Sequence, residues 1–156
     1  MKNEVLVYSF HEYIDAPLES VYEYMNKDEH VYQWNSMIEE HIYEGNEEEI
    51  KAGSTYKSRM KLDKKEFVIE TKIIKHEPPY HAEIHGYSKE GVSITRYWFE
   101  RDGHGTTLTV EASLLPKNFL YKWASKLFKP FSKLVFDEQY KAFVQYVYTQ
   151  ESKKIS

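Results

Sequence analysis

Residues 12–35, EYIDAPLESVYEYMNKDEHVYQWN, limit the fold more than any other part of the chain. They read as the end of a strand, a stop at Asp15-Ala16-Pro17, and two short helices joined at Asn26-Lys27-Asp28. Pro17 suits a first helical turn, where its missing N–H would have no intrahelical partner anyway. Asp28 stands where an N-cap carboxylate would accept the next free N–H groups. Everything after residue 35 reads as strand and turn, until one long amphipathic helix begins at Lys117. A helix pair near the start and a long helix at the end, with only strands between, leave few ways to close a core.

The strands follow from alternation. Residues 4–14 and 37–44 form the first two, and the acidic turn at 44–49 reads as a solvated loop. At 54–62, Tyr56, Ser58, Met60 and Leu62 alternate with Thr55, Lys57, Arg59 and Lys61. At 66–76, Phe67, Ile69, Thr71 and Ile73 alternate with Glu66, Val68, Glu70 and Lys72. Pro78-Pro79 interrupts the ladder, and strands at 80–87, 92–101 and 106–115 follow. Such alternation means one buried and one wet face, the pattern of an antiparallel sheet.

The final helix is expected over 117–150. Leu120, Trp123, Ala124, Leu127, Phe131, Leu134 and Val135 form its first apolar stripe, with Lys122, Lys126, Lys129 and Lys133 opposite. Further on, the apolar positions become Phe136, Tyr140, Phe143, Val144 and Val147. Pro130 should kink or break the helix between the two stripes. The expected architecture is α+β: a curved seven-stranded antiparallel sheet with two short helices after strand 1, wrapped around the long C-terminal helix. This helix-grip arrangement is expected as one domain over residues 1–156. A sheet curled on one helix cannot fill the space between them, so a cavity is expected.

Composition narrows the chemistry. There are no cysteines, which removes disulfides and thiol catalysis and suits a cytoplasmic location. The net charge of −4 argues against nucleic acid as a partner. No apolar h-region opens the chain, and no apolar run approaches the roughly 20 residues of a membrane span. The 14 tyrosines suit strands, and they also suit a pocket wall that is apolar yet orients a ligand.

Three segments carry a family resemblance. They are Ile14-Asp15-Ala16-Pro17-Leu18-Glu19-Ser20-Val21-Tyr22, Asp28-Glu29-His30-Val31-Tyr32-Gln33-Trp34, and Trp98-Phe99-Glu100 followed by Gly105-Thr106-Thr107-Leu108-Thr109. With the Pro78-Pro79 turn and the terminal helix, the chain resembles the START/Bet v 1-like (SRPBCC) superfamily, most closely its polyketide cyclase/dehydrase-like branch. The resemblance implies the helix-grip fold. It includes cyclases and dehydratases, lipid carriers, hormone receptors and co-chaperone-like proteins, with no shared catalytic signature.

The sheet register places Tyr56, Ser58, Met60, Phe67, Ile69, Ile84, Thr95, Tyr97, Phe99, Leu108 and Val110 on the inner face. Trp123, Leu127 and Phe131 of the helix complete the lining, and the plainer alternative for each is ordinary core. Glu40 and Arg96 become polar cavity groups if a bulge or a one-residue slip turns them inward. Otherwise each is an exposed partner in an ion pair. His81, Glu83 and His85 share a strand face and are metal-ligand types, yet Ala82, Ile84 and Gly86 suit the cavity, which puts the trio outside; no metal is expected. No phosphate loop or nucleophile triad is present, and no cofactor is expected.

Three functions are therefore open. The first is binding of a small hydrophobic or aromatic molecule between the sheet and the final helix. The second is a cyclase- or dehydratase-type enzyme moving protons with Tyr56, Tyr97, Glu40 or Arg96. The third is contact with a protein or a membrane surface through the lysine stripe, whose ordinary reading is a solvated outer face.

Overall fold

The structure is a computed structural model and describes residues 3–155. Strand β1 (Val5–Ile14) leads into α1 (Leu18–Asn26) and α2 (Asp28–Trp34), then β2 (Ile38–Ile42) and a 3-10 turn at Glu47–Glu49. The meander β3 (Thr55–Leu62), β4 (Lys65–Glu77), β5 (His81–Ser88), β6 (Gly91–Asp102) and β7 (Gly105–Pro116) follows. Two helices end the chain, α3 (Phe119–Leu127) and α4 (Lys129–Ile155). The seven strands form one antiparallel sheet in the order β1-β7-β6-β5-β4-β3-β2, so the first strand pairs with the last. Register shifts at Leu6/Tyr8, Ile38/Glu40 and Ile73/Lys75 bend three strands and help the sheet curl.

The turn from β1 into α1 is tied to β7. The fully buried Thr106 donates its hydroxyl to Ala16 O at 2.8 Å. The next residue back, Gly105, lies so close to Tyr13 that a Cβ there would overlap the tyrosine ring and hydroxyl. Helix α1 then presents Leu18, Val21, Tyr22 and Met25 to the core at helical spacing. Burying Leu18 and Val21 completely stabilises the fold by roughly 1.5–3 kcal/mol each. Trp34 ends α2 and donates its indole N–H to Tyr24 O at 2.8 Å, with its ring 4.9 Å from Phe143 of α4. The core is thus α1, α2 and the second half of α4 closed over Phe10, Phe99, Leu108 and Val110 of the sheet.

The helix break expected from Pro130 falls at Phe128, which closes α3 with its N–H on Ala124 O at 3.0 Å. Pro130 is the second residue of α4, inside the first turn, where the lost donor does no harm. Two local expectations change. Asp28 is the first residue of α2 rather than its side-chain cap, and its own N–H is held by the Glu47 carboxylate at 2.7 Å. The acidic turn is therefore not wholly solvated, because Glu47 turns inward to serve an unpaired helix-end donor.

Candidate functional site

A cavity of about 1060 Å³ lies between the curled sheet and the helices. Its floor is the inner face of the sheet: Tyr56, Ser58 and Met60 of β3, Ile69, Thr71 and Ile73 of β4, Ile84 and Gly86 of β5, Thr95 and Tyr97 of β6, Ala112 of β7. Its roof is Ala124, Ser125, Phe128, Ser132, Phe136 and Tyr140 from α3 and α4, and α1 and α2 add Met25, Val31 and Trp34. Small residues make the space: Gly86, Ala112, Ala124, Ser125 and Ser132 leave room that larger side chains would fill. Four of these hydroxyls pair with one another. Ser58 pairs with Thr71 at 3.0 Å and Tyr97 with Tyr140 at 3.3 Å. Burial pushes both of those tyrosines upward in pKa.

One corner is different. Asp28, at the start of α2, meets His41 and Tyr43 at the end of β2 and just beyond. His41 Nδ1–H donates to Asp28 Oδ1 at 2.7 Å, and the Tyr43 hydroxyl donates to Oδ2 at 2.6 Å. The carboxylate therefore fixes the imidazole's orientation and turns Nε2 away from it, toward the cavity. Tyr56 stands against this group, its ring 5.0 Å from His41 and 5.1 Å from Tyr43. Burial, reinforced by the Asp28 charge, drives the Tyr43 and Tyr56 hydroxyls far above the ordinary phenol range. Both remain hydrogen-bond donors at any working pH.

Tyr56 is only 8% exposed, yet among the described residues its hydroxyl finds no hydrogen-bond partner, and neither does His41 Nε2. No polar side-chain atom of the described residues is both sealed and unpartnered, so these two atoms reach open space, and both residues line the cavity. The corner offers a fixed donor beside a fixed acceptor, backed by a carboxylate. That arrangement can grip a ligand hydroxyl or carbonyl, and it can move a proton.

Of the residues singled out in the sequence, Tyr56, Ser58, Met60, Ile69, Ile84, Thr95 and Tyr97 line the cavity. Phe99, Leu108 and Val110 do not: they are buried in the core near α1, with the Phe99 ring 5.0 Å from Tyr22. Phe67 is exposed toward the far end of the β3–β4 hairpin. Trp123, Leu127 and Phe131 are exposed as well, because α3 turns Ala124 and Ser125 inward instead. Glu40 is outside, 3.2 Å from Arg59. Arg96 is also outside, donating to Glu4 at 2.7 and 3.1 Å and to Glu83 at 2.9 Å. The Glu83 carboxylate also meets His85 at 2.7 Å, and His81 stacks on Trp98, so the trio on β5 is spent on separate partners. It lies on the outer face as expected, but Glu83 and His85 are buried there rather than wet.

Asp28, His41 and Tyr43 were missed. Asp28 looks like a helix cap, and the pairing that matters joins α2 to a strand 13 residues later. The one signal was the alternation of His41 and Tyr43 with Ile42 on a strand next to an acidic turn.

Residues 15–147 match the family described as Activator of Hsp90 ATPase homolog 1-like protein. A comparison with curated proteins gives no match. Among solved structures, the protein of unknown function SA2116 from Staphylococcus aureus superposes with a TM-score of 0.72 at 17% identity, covering 96% of both chains. Ara h 8.0201 gives 0.69 at 16% identity, over 94% of this chain and 99% of that one. DynU16, from the dynemicin biosynthetic locus, gives 0.67 at 13% identity, over 96% of this chain and 49% of that one. These likenesses establish a shared fold. The chain belongs to the Activator of Hsp90 ATPase homolog 1-like family, within the START/Bet v 1-like superfamily that its strand–helix–helix opening resembles.

Proposed function

We propose that this protein binds a small, mostly apolar molecule that carries one polar head, with the head against Tyr56 and His41. The observation that carries the reading is the unpartnered Tyr56 hydroxyl inside a cavity of about 1060 Å³. Small-molecule sites are typically about 300–1,000 Å³, largely apolar, with few well-placed polar groups. The hydroxyl reaches the cavity with no protein partner, so a ligand acceptor there would gain a hydrogen bond of about 0.5–1.5 kcal/mol. The test is uptake of the neutral fluorophore N-phenyl-1-naphthylamine. Thr95 lies on the inner face between Ile84 and Ala112, so Thr95→Trp fills the floor. Saturable binding that this variant loses while staying folded supports the reading. No saturable binding, or binding that survives the variant, overturns it.

The Asp28–His41 pair favours a second reading, proton transfer on the bound molecule. His41 Nε2 would take a proton from carbon next to a ketone; the C–H electrons pass to the carbonyl oxygen, which accepts from Tyr56. Deuterium exchange into the α-position of 2-tetralone, lost in His41→Gln, is the expected signature. Exchange at the rate of buffer alone excludes it.

A further inference from the structure

The corner of α3 and α4 carries the most unusual surface of the molecule. Phe119, Leu120, Trp123, Leu127, Phe131 and Leu134 are each 60–75% exposed, on adjoining turns. Single exposed apolar residues are ordinary, but six large ones clustered at one corner are not. The same segment, residues 117–136, holds five lysines and no acidic residue, in a chain whose net charge is −4. On α3 the apolar arc of Phe119, Trp123, Leu127 and Leu120 is bordered by Lys122 and Lys126. No residue of α3 is fully buried. The lysine stripe does not lie opposite a covered face: the apolar face is itself open.

We propose that this corner docks on an anionic lipid bilayer, with the aromatic and leucine side chains in the interfacial layer and the lysines on the headgroups. The charge decides between a bilayer and a protein surface. The segment is purely cationic while the rest of the chain is acidic, so an anionic plane both attracts this corner and orients the body away. Lysine stems lie along apolar surface with the ammonium in the headgroup region, which suits lysines that border an apolar arc. No helix among the described residues is long and apolar enough to cross a membrane, so the contact is peripheral.

The inner side of the same helices, Ala124, Ser125 and Ser132, is cavity wall. Docking would therefore bring the cavity to the lipid, and α3, held without a buried side chain, is the wall element easiest to displace. This exchange step rests on the ligand-binding reading; the docking does not.

The test is flotation with vesicles of phosphatidylcholine, alone or mixed with phosphatidylserine, at low and high salt. Binding to the mixed vesicles only, weakened by salt, is expected. Combined Lys122→Glu, Lys126→Glu and Lys129→Glu should reduce it about tenfold or more. Combined Phe119→Ser, Trp123→Ser and Leu127→Ser should abolish it. All these positions are exposed except Lys122, which is half-buried, so retained circular dichroism is expected to show that the fold is intact. Quenching by brominated lipid should vanish in Trp123→Phe, because Trp34 is buried in the core and the half-buried Trp98 lies on β6, outside the α3–α4 corner. Failure to float, equal binding to both vesicle types, or a dimer in gel filtration that Leu127→Ser dissolves overturns the proposal. N-phenyl-1-naphthylamine uptake separates the two readings. If it persists without flotation, docking alone falls; if flotation occurs without uptake, the ligand reading falls and docking stands.

Discussion

Two tyrosines on one wall should respond oppositely to loss of a single oxygen. Tyr43 donates its hydroxyl to the Asp28 carboxylate at 2.6 Å. Tyr56, whose ring lies 5.1 Å away, donates to nothing among the described residues. Phenylalanine keeps either ring and its packing, so each substitution removes only the hydroxyl. A hydrogen bond to a charged group contributes about 1.5–3 kcal/mol, so Tyr43→Phe should destabilise by that amount. For a chain of this length that is a fall in Tm of roughly 3–12 °C. Tyr56→Phe should leave stability within about 0.5 kcal/mol, or raise it slightly.

Ligand binding should invert the order. The probes are 2-acetylnaphthalene, which carries an acceptor, and 2-ethylnaphthalene, which does not, each displacing N-phenyl-1-naphthylamine. A neutral hydrogen bond contributes about 0.5–1.5 kcal/mol, so Tyr56→Phe should weaken the ketone by roughly 2- to 12-fold. The hydrocarbon should be unaffected. The reasoning is refuted if Tyr56→Phe destabilises the fold as much as Tyr43→Phe. It is equally refuted if both probes weaken alike, since the hydroxyl would then be a structural group rather than a ligand donor.

Arg96→Met should cost about 3 kcal/mol in urea unfolding, because it removes the one guanidinium shared by two mostly buried carboxylates, Glu4 and Glu83. Hydrogen bonds from Arg96 hold the Glu4 carboxyl down at about 2 against an ordinary 4.5. A depressed carboxylate stabilises the fold above its unfolded pKa, so roughly 2–3 kcal/mol should be lost as pH falls from 4.5 to about 2. A stability profile flat across that window counts against the pair, and Arg96→Met should flatten it. Phe143→Ala, at a fully buried site, should cost about 3–5 kcal/mol. Leu127→Ala should change urea stability by no more than about 0.5 kcal/mol, because Leu127 is exposed; a large loss there would mean the α3 stripe is covered after all.

The architecture was legible because the signals were local. Pro17, the alternation from Tyr56 to Leu115 and the stripe at Tyr140, Phe143 and Val147 each report their own element. The inner face of the sheet followed too, since period two admits only two choices. What resisted was contact between distant elements. The Asp28–His41–Tyr43 corner exists only once β2 has folded back against α2. Glu40 and Arg96 were ambiguous because a bulge decides a face, and the bulge at Ile38/Glu40 leaves Glu40 outside beside Arg59.

The stripe on α3 failed for a more instructive reason. Helical periodicity identifies an apolar arc but not the surface that covers it. At about 100° of rotation per residue, Ser125 points well away from Trp123 and Leu127, so Ala124 and Ser125 line the cavity with those two bulky side chains turned out. Facing the small arc inward keeps the cavity open and forces the bulky arc outward. Facing the bulky arc inward would fill the space beneath it and remove the patch. An open cavity and an exposed, lysine-bordered apolar corner are therefore two results of one rotation of α3.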